Sequence, residues 1–432
     1  MSYTPCANIS LQEDQMTIQN KQATQTAPKP VRKSIFGMNP NVFFLGLVSL
    51  FTDISSEMIF TLVPLFLKNV LGASTAIIGL VGGLSDSTEG IFKIFSGWFS
   101  DRINRPKLLA VLGYGFSTIV KPFMLLATSW GIVAGVRLGD RVGKGVRTAP
   151  RDALVADSVT SDMRGRGFGL HRAMDTTGAV LGLAIAAFII YNMEGGAIDL
   201  TLKSYRWMII GGIVPAALAV LVLFIFVRER AKSKTGNTAL PFSIKALRSG
   251  FETRFKVFLA IMAVFTLGNS SDFFLILRAQ NIEAPLVQVV LMLVFFNIVY
   301  AVSSLPMGIL SDKLGRRRVI AAGWLVYGLV YLGFALASQI WQAWILFAVY
   351  GIYYGMVEGV GKAFVADLVS PEKRGTAYGL YNGVLSLMLL PASVIAGALW
   401  SVNPSATFYF GGGLALTAAV GITFLVREPR QV

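Results

Sequence analysis

The sequence predicts an all-α integral membrane protein with twelve transmembrane helices in two six-helix bundles, and three observations lead to this fold class. Of the 432 residues, 54% are hydrophobic and only 14% are charged, whereas soluble domains contain about 25% charged residues. Twelve consecutive apolar windows are each long enough to cross a bilayer core of about 30 Å, which takes about 20 residues. The two halves of the chain also repeat the same short motifs.

Short polar turns separate the twelve windows, except for one long polar interruption in the middle of the chain. The windows cover residues 42–68, 75–99, 107–127, 130–158, 166–192, 205–227, 255–279, 286–311, 318–337, 341–368, 374–400 and 405–426. Because the interruption at 228–254 leaves six windows on either side, we predict a cytoplasmic linker there, a first bundle at 38–227 and a second bundle at 255–427. Residues 1–37 are polar and are expected to form a disordered cytoplasmic tail.

Lysine and arginine residues concentrate in alternate loops, including 102–107, 228–256 and 313–318, whereas the turns near 128 and 338 carry none. Positively charged loops of membrane proteins stay in the cytoplasm. Both termini are therefore expected on the cytoplasmic side of a bacterial or archaeal cell membrane. The same loops account for the net charge of +15, so we expect no nucleic-acid partner.

Two motifs occur once in each half of the chain. Residues 97–105 match residues 308–316, and residues 153–157 match residues 363–367, at offsets of 211 and 210 residues. A parallel duplication of six spans predicts a pseudo-two-fold axis along the membrane normal. A cleft between the two halves follows from it.

The first of these motifs resembles the G-x-x-x-D-R-x-x-R-K signature of the major facilitator superfamily, and the likeness extends over residues 40–427. The matching residues are Gly97, Asp101, Arg102 and Arg105, with Gly308, Asp312 and Arg316 in the second copy. The resemblance implies a secondary transporter whose signature loops gate the cytoplasmic ends of the helices. A signal that only sets membrane topology is the alternative.

Two further signatures of that superfamily are matched only in part. The segment from Arg141 to Gly145 is similar to R-x-x-q-G, whose arginine is associated with proton transfer, although Lys144 replaces the amide. The antiporter signature of span five lacks its proline and its terminal glycines, since Leu183 follows Gly182. Import and export therefore both stay open.

The fourth predicted span carries five cations on one helical face about 120° wide. They are Arg137, Arg141, Lys144, Arg147 and Arg151. Charges inside a span are costly unless they face water, substrate or carboxylates. We expect the first three to line a substrate cavity and to favour an anionic substrate, and the last two to pair with aspartates near the cytoplasmic end.

Carboxylates in the first two spans are the candidates for proton coupling. Asp53 and Glu57 lie four residues apart and so share a helical face. Either one acting with Arg137 or Arg141 is the leading coupling hypothesis, and a static buried ion pair is its alternative. Asp86 in the second span is a further coupling candidate.

The second half contributes fewer charges and more tyrosines to the predicted cavity. Its substrate-cavity candidates are Asn269, Asp272, Tyr350, Tyr354 and Glu358. Tyrosine and asparagine side chains suit hydrogen bonding to a solute, and packing between helices is the alternative. Two further ion pairs, Glu89–Lys93 and Glu358–Lys362, have the i, i+4 spacing of pairs within one helix.

Together these features predict a secondary active transporter that moves a small organic solute by alternating access, coupled to protons. A drug:proton exporter of the tetracycline type, and a non-transporting sensor or scaffold with the same fold, are the alternatives. The sequence contains neither a G-x-x-x-x-G-K-[ST] loop for ATP nor a nucleophile–base constellation, so we expect no enzyme. Cys6 and His171 are the only residues of their types, so we expect no metal or other cofactor. The expected partners are the solute, protons and lipid, with the protein acting as a monomer.

Overall fold

The computed structural model of the protein describes residues 39–103, 105–159, 164–229, 251–370 and 373–426. The predicted disordered tail at 1–37 and residues 230–250 of the predicted linker lie outside these ranges. The side chain of Asp101, one of the predicted signature residues, also lies outside the described part of the chain.

The described residues form twelve long helical segments, α1 to α12, that follow the twelve predicted spans. Their bounds are Pro40–Phe60 (α1), Thr75–Ile103 (α2), Pro106–Val120 (α3), Trp130–Ser158 (α4), Arg164–Glu194 (α5), Leu202–Phe226 (α6), Thr253–Gly268 and Phe273–Asn281 (the two pieces of α7), Leu286–Leu314 (α8), Arg316–Leu336 (α9), Ile340–Leu368 (α10), Arg374–Val402 (α11) and Pro404–Leu425 (α12). A short helix at Val63–Leu65 and a π-helical turn at Phe66–Val70 extend α1, and a 3₁₀ helix at Lys121–Leu126 extends α3.

The helices have the length and the surface of membrane spans. Ten segments of the described chain are long and apolar enough to cross a membrane. The other two, α2 and α4, contain 29 residues each and are highly charged, with five and eight charged residues in their sequences. Large apolar side chains face outwards, and Phe188, Leu305 and Phe424 are 69%, 73% and 78% exposed. An outer surface of this kind is typical of a protein surrounded by lipid.

Helices α1 to α6 form a first half, and α7 to α12 form a second half with the same internal packing. In the first half α4 packs against α2 and α3, and in the second half α10 packs against α8 and α9. Between the halves, α2 packs against α11 and α8 packs against α5. If each helix of one half is replaced by the corresponding helix of the other half, so that α2 becomes α8 and α11 becomes α5, the same pairs of helices are in contact. The predicted pseudo-two-fold axis requires this.

One end of the molecule carries the α2–α3 and α8–α9 connections, and we call it the signature end. At the α8–α9 connection Gly315 has a φ of 94°, a left-handed conformation that favours glycine. The next residue, Arg316, forms ion pairs with Asp312 at 3.6 Å and with Asp367 at 2.9 Å. In the second half, the two repeated motifs therefore bind each other directly.

The other end of the molecule, which we call the opposite end, is closed between the two halves. The ammonium of Lys68 donates to the side chain of Gln280 at 2.9 Å, and the amide of Gln280 donates to Asp199 at 3.1 Å. The backbone N–H of Leu286 donates to the carbonyl of Ala197 at 2.9 Å. These contacts join the end of α1 and the α5–α6 connection to α7 and α8.

Small residues allow α2 and α11 to approach each other closely. A Cβ atom added to Gly79 would lie 2.3 Å from the carbonyl oxygen of Ser393, and one added to Gly397 would lie 2.7 Å from that of Thr75. Because these neighbours are backbone atoms, no side-chain rotation relieves the overlap. The two glycines therefore set the distance between the halves near the opposite end.

Replacing Gly79 by alanine is expected to push α2 away from α11 and to destabilise the protein by about 1–3 kcal/mol, the usual cost of overpacking. Gly115 is the matched control, because it is also helical but has no atom within 4 Å of an added Cβ. Gly115→Ala should instead stabilise the protein by roughly 0.5–1 kcal/mol. Thermal unfolding in detergent measures both changes, and equal melting temperatures would contradict the close packing of α2 on α11.

Candidate functional site

A central cavity of about 250 Å³ lies between the two halves. Phe60, Leu183 and Phe273 line it, and each of these side chains is at most 5% exposed. A wider vestibule of about 490 Å³ adjoins the cavity, shares Asp53 and Glu57 with it, and continues towards the signature end. The cavity therefore lies next to the vestibule, while the contacts of the opposite end close the other side.

The structure brings most of the predicted site residues to these two spaces. The central cavity is lined by Asp53, Glu57, Asp86, Arg137, Arg141, Lys144 and Asp272, and the vestibule by Glu358. Three candidates of the second half, Asn269, Tyr350 and Tyr354, bind other side chains behind the cavity wall. The first-half candidates therefore lie closer together than those of the second half.

Asp272 reaches the cavity because α7 is interrupted at residues 269–272. A broken span is stable only where its freed backbone groups find partners, and the N–H of Ser271 donates to the hydroxyl of Ser393 at 3.0 Å. The phenol of Tyr350 donates to the Asp272 carboxylate at 2.7 Å, and that of Tyr354 donates at 3.3 Å. The two tyrosines therefore orient this carboxylate from the side away from the cavity.

The tyrosines of the second half pack against one another. For Tyr350 this corrects the expectation that it contacts the solute, whereas Tyr354 is half-buried and its expected role stays a prediction. Tyr350 is 1% exposed, and its ring centroid lies 5.5 Å from that of Tyr353 and 6.0 Å from that of Tyr327. Tyr327 also donates to the side chain of Asn269 at 3.1 Å. Helical periodicity places these residues on the inner side of α9 and α10, but it does not separate the bundle core from the cavity wall.

Glu89 of α2 is the counter-ion for two cations of α4. Arg141 donates to its carboxylate at 2.6 Å, and the ammonium of Lys144 lies at 3.3 Å. The side chains of Arg141 and Glu89 are only 15% and 23% exposed. The expected pair between Glu89 and Lys93 is absent from the described ion pairs, because the two α4 cations occupy the carboxylate. The charge is thus neutralised between helices and not within α2.

Arg137, like Arg147, forms no ion pair with a described carboxylate, so the expected pairing of Arg147 with an aspartate is not made in this structure, and Arg137 lies in the wall of the central cavity. Its guanidinium lies between two rings, 5.0 Å from the centroid of Phe60 and 5.3 Å from that of Phe273. The side chain is 4% exposed, and Nε and Nη1 have no hydrogen-bond partner among the described residues. No described carboxylate forms an ion pair with it. A buried cation in these surroundings is destabilising unless a ligand binds to it.

Asp53 and Glu57 form no ion pair with a described arginine, so the contact expected by the leading coupling hypothesis is not made in this structure. The Asp53 carboxyl group instead lies beside that of Asp175 of α5 in the wall of the vestibule, and Asp175 accepts a hydrogen bond from the hydroxyl of Ser49. Two neighbouring carboxylates repel each other, and binding of one proton between them removes the repulsion. The pair is therefore a candidate proton site at the junction of cavity and vestibule.

Arg172 of α5 connects the two halves within the vestibule. Its guanidinium lies 3.3 Å from Asp175 and 3.4 Å from Glu358 of α10, and it donates to the phenol of Tyr300 in α8. Glu358 also forms the expected pair with Lys362, at 3.9 Å. Arg172 and Asp175 are not among the site residues predicted from the sequence. Their i, i+3 spacing inside a predicted span was the only signal for them.

Removing the shared counter-ion of α4 should destabilise the protein. In Glu89→Gln, Arg141 and Lys144 lose their carboxylate, and we expect a loss of about 2 kcal/mol, below the 3–5 kcal/mol of fully buried pairs because the site is partly hydrated. Asp312→Asn is the control, since its side chain is 70% exposed and exposed pairs contribute about 0–1 kcal/mol. Thermal unfolding in detergent compares them. A larger drop in melting temperature for Asp312→Asn would contradict the assignment of Glu89.

Comparisons with known proteins agree with this architecture. The model of the Major Facilitator Superfamily matches residues 45–283 and 257–432. An uncharacterized MFS-type transporter of Methanocaldococcus jannaschii is 38% identical over 395 residues, which cover 90% of this chain and 95% of that protein. The quinolone resistance protein NorA of Staphylococcus aureus is 23% identical over 124 residues, which cover 29% of this chain and 32% of NorA.

Solved structures share the fold at low sequence identity. The nucleoside transporter NupG superposes with a TM-score of 0.73 at 14% identity, over 90% of this chain and 99% of NupG. The predicted all-α architecture of two related six-helix bundles is thereby confirmed. With a family model over nearly the whole chain and a relative of 38% identity, the protein belongs to the Major Facilitator Superfamily of membrane transporters.

Proposed function

We propose that the protein is a secondary transporter that moves a small organic solute bearing an anionic group across the cell membrane, coupled to protons. The observation that carries the proposal is Arg137. A guanidinium that is buried between two rings, without a carboxylate partner and in the wall of a cavity, is suited to bind a carboxylate or phosphate group. An anion bound there would complete the hydrogen bonds that Nε and Nη1 lack.

Alternating access fits a central cavity that is closed at the opposite end and lies next to a vestibule on the side of the signature end. We place the signature end in the cytoplasm, because Arg102, Arg105, Lys313 and Arg316 lie there. In this orientation the vestibule faces the cytoplasm and the closed opposite end faces outwards. The conformation is then one that is closed on the outer side, and the contacts of Arg172 with α8 and α10 bridge the two halves on the inner side.

The pair of Asp53 and Asp175 supports proton coupling. It lies where the cavity meets the vestibule, so its access to water changes when the signature end closes. Hydration and nearby charges both change the affinity of a carboxyl group for protons. Proton binding at this pair would therefore depend on the conformation, as coupling requires. Asp175 joins the sequence-based candidates Asp53, Glu57 and Asp86.

Drug:proton efflux is a second candidate, and the partial similarity to NorA favours it. The composition of the cavity favours the polar solute. Charged side chains form about half of its wall, whereas four tyrosines that would suit an aromatic drug, Tyr327, Tyr331, Tyr350 and Tyr353, are buried in the core of the second half.

Exchange measurements in reconstituted vesicles test the anion site. Vesicles containing a mixture of carboxylates and phosphate monoesters are incubated with isotopically labelled forms, and mass spectrometry identifies which are exchanged. Arg137→Gln should weaken uptake of the exchanged solute by at least about tenfold, because a hydrogen-bonded charge pair contributes roughly 1.5–3 kcal/mol. Arg206→Gln removes an exposed cation and should leave uptake unchanged. Exchange of none of the mixture, or equal uptake by Arg137→Gln, would refute the proposal.

A second measurement separates coupling from binding. In Asp53→Asn the pair with Asp175 loses one titrating group, so accumulation driven by a pH gradient should be lost. Exchange without a gradient should persist, because it needs no net proton movement. Glu283→Gln, which alters an exposed carboxylate near the opposite end, is the control and should accumulate solute normally. Gradient-driven accumulation by Asp53→Asn at the wild-type level would exclude this site as the coupling group.

A further inference from the structure

The charged side chains around the central cavity do not suit a solute that carries only a negative charge. Its wall contains five carboxylates, which are Asp53, Glu57, Asp86, Asp140 and Asp272, and four cations, which are Arg137, Arg141, Lys144 and Arg147. Two of the cations are already bound to Glu89, and the guanidinium of Arg147 lies over the ring of Tyr114, 4.4 Å from its centroid. A ring does not neutralise a charge, so Arg137 and Arg147 are the two cations of this wall that form no ion pair with a described carboxylate. Of the two, Arg137 lies between one ring of each half, where it can bind an anion between the halves.

Several of the carboxylates have other partners. Asp53 lies beside Asp175, and Asp140 accepts a hydrogen bond from Ser117 and interacts with the ammonium of Lys121. The other three are Glu57, which accepts a hydrogen bond from the hydroxyl of Thr61, Asp86 and Asp272.

These three carboxylates come from α1, α2 and α7 and interact electrostatically across the cavity. None of them forms an ion pair with a described lysine or arginine. Tyr350 and Tyr354 donate to Asp272, but neutral phenols do not balance its charge. An ammonium group has three N–H donors, so carboxylates from three helices around one cavity suit an organic cation of this kind. The carboxylates thus form a negative pole.

Arg137 forms the positive pole of the same cavity. Asp86 interacts electrostatically both with Arg137 and with Asp272, so the two poles lie a short distance apart. A solute with one charge would satisfy one pole and leave the other desolvated and unbalanced, which is unfavourable in a closed site. A solute with both charges satisfies both.

We propose that the transported solute is a zwitterion, whose carboxylate or phosphate binds Arg137 and whose ammonium group binds between Glu57, Asp86 and Asp272. The inference rests on the proposed transport function and specifies the chemical class of the transported solute. It adds Asp272 as a residue that determines specificity, since the same cavity without this carboxylate would accept solutes that lack an ammonium group.

Three forms of the same molecules test the inference. The probes are β-alanine, γ-aminobutyrate, leucine and phenylalanine, each as the free amino acid, as the N-acetyl derivative without the ammonium charge, and as the methyl ester without the carboxylate charge. Ligands that bind the folded state raise its melting temperature. For at least one amino acid, we expect the full-length protein in detergent to be stabilised by the free form. Its two derivatives should bind at least about tenfold more weakly, because each loses a charged contact.

Variants assign the two poles. Asp272→Asn should weaken binding of the free amino acid and leave the N-acetyl form unaffected, whereas Arg137→Gln should weaken the free form and leave the methyl ester unaffected. Asp86→Asn gives a second measurement of the negative pole should Asp272→Asn fold poorly. Glu283→Gln, with its exposed carboxylate, is the control and should bind every form as the unmodified protein does.

The outcomes separate this inference from the proposed function. If the N-acetyl forms bind as tightly as the free amino acids, the solute is a simple anion, so the transport proposal stands and the zwitterion is refuted. If none of the three forms binds while other carboxylates or phosphate monoesters are exchanged by vesicles, the zwitterion is again refuted. If neither binding nor exchange is found, both proposals fail.

Discussion

The arrangement of the first half depends on the balance of charge between α2 and α4. Five cations on one face of a transmembrane helix are tolerated only with counter-charges or aromatic partners inside the protein. Glu89 supplies the counter-charge for Arg141 and Lys144, and Tyr114 covers Arg147. Because two cations share one carboxylate, α2 and α4 are held together at the level of the cavity. Arg137 has no carboxylate partner and lies between two phenylalanine rings in the cavity wall, which is the position from which it would bind the proposed solute.

The fold was predictable to a large extent, because hydrophobic length and repeated motifs are properties of single segments. The twelve windows, the six-and-six division and the cationic face of α4 all follow from spacing along the chain. The ion-pair partner of a charged side chain is harder to predict, since it depends on which helices are in contact and on where each side chain lies along the membrane normal. Spacing alone assigned Glu89 to Lys93, whereas the folded chain places Arg141 and Lys144 closer to its carboxylate.

Two further features illustrate the same limit. The interruption of α7 at residues 269–272 carries no proline, and the partner of its freed N–H, Ser393, lies on a helix more than a hundred residues later. The close approach of Asp53 to Asp175 brings α1 next to α5 and contradicts the simple expectation that acids pair with bases. Both depend on long-range packing, and both lie next to the cavity. The least predictable contacts are thus concentrated in the site.

The two rings around Arg137 come from different halves, Phe60 from α1 and Phe273 from α7. Any movement that opens the opposite end must separate these rings and withdraw at least one of them from the guanidinium. Each such contact stabilises a desolvated cation by about 2 kcal/mol. A bound anion compensates for that loss, whereas an empty cavity does not. The empty carrier would therefore cross between its two orientations more slowly than the loaded one, which favours exchange over net leakage of protons across the membrane.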